Sequence, residues 1–100
     1  MKNIVLLRVD DRLLHGQVVV SWIPYLNVNE VIITDDEYAN DEFMCQLVES
    51  SAPENIVVQV LSVKDTVSYL KKDDEGARVL ILCKDLDTVK NLIEKVEIHT

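Results

Sequence analysis

Arg8-Val9-Asp10-Asp11-Arg12-Leu13-Leu14-His15-Gly16-Gln17 is the stretch on which the fold of this chain turns. Just upstream, Ile4 to Val9 is apolar apart from Arg8, too short for a helix and rich in branched residues. Such a run predicts a strand covered on both faces, as in a parallel sheet. Downstream of Gln17, apolar residues recur at helical spacing. Asp10 to Gly16 is therefore expected to form a strand-to-helix loop at the carboxyl end of the first strand, where open α/β sheets bind their ligands.

The residues in that loop suit an anion. Gly16 lets an anion approach the main chain closely. The first N–H groups of the helix that follows lack internal partners and carry partial positive charge, so Gly16 and Gln17 can offer backbone donors to a phosphate. Arg8 and Arg12 add forked guanidinium donors. His15 is a nucleophile that titrates near neutral pH. Asp10 or Asp11 can hold its imidazole in one tautomer. Each residue alone has a plainer reading: a histidine beside a glycine in a turn, Asp11 as a cap, Arg8 paired with Asp10 or Asp11. Together they favour a histidine that carries a phosphoryl group, because a charge inside an apolar strand is costly unless it has a partner or a task.

The stretch Arg8 to Val18 resembles the active-site signature of the mannose/fructose/sorbose-class enzyme IIB subunit of the bacterial sugar phosphotransferase system, and matches it throughout. Thr34-Asp35-Asp36, Ala39-Asn40-Asp41 and Ala52-Pro53 are also similar to that family, so the resemblance covers essentially the whole chain. It implies that His15 accepts a phosphoryl group from a IIA phosphodonor protein and passes it to a hexose or amino sugar during uptake. It also implies membrane sugar-permease subunits as partners and a cytoplasmic location, peripheral to those subunits. Some relatives carry a basic residue in the second helix that helps to hold phosphate; Met44 stands at that place here. Family members run well beyond the length of this chain. The 100 residues are therefore expected to be a single IIB-like domain lacking its C-terminal part, and to self-associate through the sheet surface left uncovered.

Composition narrows the alternatives. One hundred residues suit one domain with one core. A hydrophobic content of 48% with two glycines and two prolines argues against disorder. A formal net charge of −8 disfavours nucleic acid as a partner. Cys45 and Cys83 have no metal-ligand spacing, and are read as buried reduced thiols. No cofactor or metal is expected, since arginines and a helix dipole supply the neutralising charge. No apolar run reaches the length of a membrane span, and the amino terminus does not read as a signal peptide.

Taken in order, strands are expected at Asn3–Val9, Glu30–Thr34, Ile56–Leu61 and Arg78–Cys83, with Glu97–Thr100 beginning a fifth. Helices are expected from Gln17 to Leu26, with Trp22 in the core, and from an Asn40 or Asp41 cap to Ser50, with Phe43, Met44, Leu47 and Val48 inward. A third runs from a Ser62–Asp65 capping-box-like start to about Lys72, with Val63, Val67 and Leu70 on one face and Lys71-Lys72 ending it. A fourth follows an Asp85 or Asp87 cap and carries Val89, Leu92, Ile93 and Val96. Asp35-Asp36-Glu37 is either a solvated loop or a group that orients a sugar hydroxyl or a partner. His99 is given no role. The alternation of strand and helix predicts an α/β fold, a doubly wound, mainly parallel open sheet with helices on both faces.

Two other functions fit parts of the chain. A receiver-like signalling domain would share the acids after the first strand, but needs a phosphoacceptor aspartate near Leu61-Ser62-Val63, where none stands. A non-catalytic remnant that binds a IIA partner without transfer is the other.

Overall fold

The computed structural model describes residues 3–9, 27–50, 52, 55–72 and 76–96. Within them lie four strands, β1 (Asn3–Val9), β2 (Glu30–Thr34), β3 (Val57–Leu61) and β4 (Arg78–Cys83), and four helices, α1 (Asp36–Ala39), α2 (Glu42–Ser50), α3 (Val63–Leu70) and α4 (Leu86–Val96). The strands form one parallel sheet in the order β1-β4-β2-β3. β2 and β4 are the central strands. Val31, Ile32, Ile33, Val79, Leu80, Ile81 and Leu82 are all buried, as sheet strands covered on both faces require.

Successive side chains in a strand point to opposite faces, and the chain uses both. Ile32, Val79, Ile81 and Cys83 pack with Val63, Val67 and Leu70 of α3 and Leu92 of α4. Val31, Ile33, Val58, Val60, Leu80 and Leu82 pack on the other face with Tyr38 and Ala39 of α1 and Cys45 and Val48 of α2. The doubly wound α/β architecture is as expected. The β1–β4 register shifts between Ile4 and Leu6. At this bulge Val5 and Leu6 both pack on the α1/α2 face, and Leu7 returns to the other.

Two local expectations need correction. First, Asp35-Asp36-Glu37 is not a loop. Asp35 is the N-cap of α1, its carboxylate accepting from Glu37 N at 2.8 Å and Tyr38 N at 3.3 Å. Second, Phe43 and Leu47 do not face inward; they are 71% and 47% exposed. A helix buries one stripe, and at 100° per residue Phe43 lies nearly opposite the sheet-facing Cys45 and Val48. The Cys45 thiol, donating to Tyr38 O at 3.4 Å and Ala39 O at 3.8 Å, locks that rotation. Cys45 is thus half-buried, whereas Cys83 is fully buried. The end of α3 is where it was expected: Leu70 is its last residue, and the Lys71 and Lys72 N–H groups close it on Val67 O and Tyr69 O. The caps that the sequence left open are Asp41 for α2, accepting from Met44 N at 3.2 Å, and Asp85 for α4. The helix expected at residues 17–26 and the fifth strand lie outside the described residues.

Candidate functional site

All four strands end on one level. Val9 pairs with Cys83, Cys83 with Thr34, and Thr34 with Leu61. This row forms the carboxyl ledge of the sheet, and the chain leaves it after β1 through the stretch quoted first. Of the predicted site residues, Arg8 is described. Asp10, Asp11, Arg12, His15, Gly16 and Gln17 lie outside the described residues. Arg8 stands one residue from the end of β1, opposite Leu82. Its side chain is half-buried and its Nε is withdrawn from water.

Side chains along the ledge hold the loops that follow the strands. After β2, Asp35 N donates to Leu61 O at 3.0 Å while the Asp35 carboxylate caps α1. The Asp36 carboxylate accepts from Val63 N, the first N–H of α3, at 2.8 Å. Two adjacent acids therefore join the β2 and β3 exits. After β3, Ser62 Oγ caps α3 by accepting from Asp65 N at 3.1 Å, which realises half of the expected capping box. Beneath them the Thr34 and Thr66 hydroxyls are buried and share a hydrogen bond of 2.9 Å. After β4, Asp85 accepts from Thr88 N at 2.9 Å and from Thr88 Oγ1 at 2.8 Å. These bonds hold its carboxyl below the usual value, and Lys84 adds a smaller push the same way.

Two further residues stand at the ledge that the sequence did not single out for it. Cys83 ends β4 beside Val9, but its thiol is pushed up to about 12 by burial and then by the Asp85 and Asp35 carboxylates. At neutral pH it stays a thiol and is no nucleophile. Lys84 follows it. Its Nζ sits 5.7 Å from the centre of the Tyr38 ring and 3.9 Å from Glu37 Oε2. A charged residue directly after a buried strand was the available signal. Among the described residues, no group of His, Cys, Asp and Glu side chains is placed to hold a metal ion, and no helix is long and apolar enough to cross a membrane.

Residues 4–99 match the family model described as the PTS system sorbose subfamily IIB component. The chain belongs to that family. It is 34% identical over 84 residues to the N-acetylgalactosamine-specific phosphotransferase enzyme IIB component 2 of Escherichia coli K12, covering 84% of this chain and 54% of that protein. With the fructose-specific EIIB component of Bacillus subtilis it shares 35% identity over 95 residues, 94% of this chain and 58% of the relative. Among solved structures, the IIBSor domain of the sorbose permease of Klebsiella pneumoniae superposes with a TM-score of 0.85 at 31% identity, over 93% of this chain and 58% of that one. This IIB chain thus spans little more than half the length of these relatives.

Proposed function

We propose that this IIB chain is a phosphoryl carrier and transferase of a sugar phosphotransferase system, with His15 as the covalent carrier. The observation that carries the reading is where the signature leaves the sheet. Arg8 and Val9, its first residues, end β1 on the carboxyl ledge beside β4. The chain next returns as β2, on the far side of β4. Of the paired strands β2 and β4, β2 leads into α1 and α2 on one face of the sheet and β4 into α4 on the other. Neighbouring strands whose connections part to opposite faces make the switch point at which α/β sheets bind ligands.

In the first step, a lone pair of a His15 ring nitrogen forms an N–P bond. The donor's own bond to phosphorus breaks and its electron pair leaves with the donor, a phosphorylated IIA protein. In the second, a hydroxyl oxygen of a hexose or amino sugar attacks phosphorus. The N–P bond breaks, its electron pair returns to the ring, and the hydroxyl proton is released. Arg12, Arg8 and the N–H groups of Gly16 and Gln17 neutralise and position the phosphoryl group, which is most of what such transfer asks of a protein. Asp10 or Asp11 orients the imidazole. The chain works at the cytoplasmic face of the membrane, against permease subunits. The relatives' names cover N-acetylgalactosamine, fructose and sorbose, so the sugar is left open between hexoses and amino sugars.

The sheet order speaks against a receiver domain. In the flavodoxin-like order, β1 lies between β2 and β3; here β1 stands at one edge of the described sheet, paired with β4. The test is labelling by a phosphorylated IIA partner. His15→Ala is expected to abolish it and His99→Ala to leave it intact. Persistent, acid-labile labelling of the His15→Ala chain would refute the assignment.

A further inference from the structure

We propose that the outward face of α2, around Phe43 and Leu47, docks a basic and partly apolar cytoplasmic loop of a membrane permease subunit. The proposal rests on the carrier reading above, in which this chain works against such subunits. Phe43 and Leu47 stand four residues apart, so they are neighbours on one side of the helix, and both are exposed. Cys45 and Val48 hold the other side against the sheet. β2 and β3 are parallel, so the chain between them returns from the carboxyl end of the sheet to the amino end. α2 makes that return, and Phe43 in its first turn lies toward the carboxyl ledge.

Exposed apolar side chains rimmed by polar ones mark an interaction surface, and charge says what this one meets. Between Arg12 and Lys64 the sequence has eight carboxylates and no Lys or Arg, while the rest of the chain balances, so the whole formal charge of −8 lies in that stretch. Glu42 and Glu49, two helical turns apart, line one flank of the Phe43–Leu47 pair, and the half-buried Met44 extends its apolar surface on the other. Both acids are exposed, and among the described residues no ion pair reaches either. After burial, Glu49, Asp41 and Glu42 push the Cys45 thiol up, as an unbalanced negative field along the helix does. The complement of such a surface is apolar and cationic. Cytoplasmic loops of membrane proteins carry an excess of Lys and Arg, which suits them to it. A bare lipid surface does not fit, because the cytoplasmic leaflet is itself anionic. Nor does the same face of a second copy, which sets Glu42 and Glu49 against their like.

The probe is the permease of the same transport system in nanodiscs of zwitterionic lipid, with empty zwitterionic and empty anionic nanodiscs beside it. Kd is measured for the whole chain and its variants, with thermal unfolding of each. Phe43→Gln together with Leu47→Gln is expected to weaken binding roughly tenfold or more, the scale of truncating interface anchors. Glu42→Gln together with Glu49→Gln should weaken it about threefold and flatten its decline with salt, as rim charges do. Asp87→Asn together with Glu94→Gln, the same change of charge on α4, should leave binding unchanged. Labelling of His15 by a phosphorylated IIA donor should be equal in all these chains. If the Phe43 and Leu47 double variant melts early, Leu47→Glu replaces it, a good helix former that puts a charge in the apolar patch. Unchanged affinity in the chain altered at Phe43 and Leu47 overturns the proposal. So does equal binding to empty anionic nanodiscs, a raised half-saturating concentration of the IIA donor, or a dimer that this variant abolishes, which give the face to lipid, to the donor or to a second copy. In each case normal labelling of His15 leaves the carrier reading standing. Equal labelling of the wild-type and His15→Ala chains removes the carrier reading alone, because binding to the permease is measured without transfer.

Discussion

At the amino end of the sheet, Asn29 joins three strands. Its side chain donates to Gly76 O at 2.7 Å and accepts from Arg78 N at 2.8 Å, while its backbone bonds Arg78 O and Val57 N. Asn27 and Asn55 nearby take φ values of 52° and 70°, the left-handed region that asparagine tolerates better than most residues. At the carboxyl end, similar polar side chains cap helices instead. Asp35, Asp36, Ser62 and Asp85 bind the starts of α1, α3 and α4. One end is stitched backbone to backbone. The other fixes the directions in which chains leave the sheet and keeps a loosely tethered lysine above it. The lesson is that similar polar groups join strands to one another at one end, and at the other fix where helices begin.

The largest expected effect that would separate the ends is on transfer. Arg12→Ala should slow phosphorylation of His15 by roughly 10²-fold or more with saturating donor, and leave thermal unfolding close to wild type. A near-normal rate would break the link between the carboxyl end and function.

A second test asks how much stability the carboxyl end itself holds. Thr34→Val leaves the buried Thr66 hydroxyl without its 2.9 Å partner, at a cost of about 1–3 kcal/mol. Thr34→Val combined with Thr66→Val should recover most of that loss, which a double-mutant cycle in urea would measure. Additive losses would mean that the pair is not a unit.

Asn29→Ala removes the two side-chain bonds of the amino end. It should cost about 1–2 kcal/mol by urea unfolding and leave the rate of His15 labelling unchanged. A slowed rate would show that the two ends are coupled.

The smallest effect is a pH dependence. The Asp85 carboxyl is held below its ordinary value of 3.8, first by the Thr88 N–H and then by the Thr88 hydroxyl. Its contribution to stability is present above 3.8 and is lost as pH falls through the lower folded value. Asp85→Ala should therefore melt below wild type at pH 7, and the gap should narrow on acidification. A gap that widens in acid would refute the capping role.

The central strands and the signature were legible in the sequence because each is a local, contiguous pattern. Val31-Ile32-Ile33 and Val79–Leu82 are short apolar runs, and Arg8 to Gln17 holds its donors and its histidine within one loop's length. Ser62 was legible as a cap for the same reason. The order β1-β4-β2-β3 was not, because pairing joins segments some 70 residues apart, and no residue in Val79–Leu82 names Leu6–Arg8 as its neighbour. The face of α2 was not legible either. Its sequence offers two apolar stripes, and only the sheet, with the Tyr38 and Ala39 carbonyls, selects Cys45 and Val48 over Phe43 and Leu47. Asp35 and Asp36 read as a solvated acidic run until the helix starts they cap are placed beside them. By itself the sequence determined the fold class, the central strands and the family signature, since these depend on neighbours along the chain. Tertiary structure alone decided which strands meet, and so that Cys83 stands beside Val9, because such contacts depend on packing between distant segments.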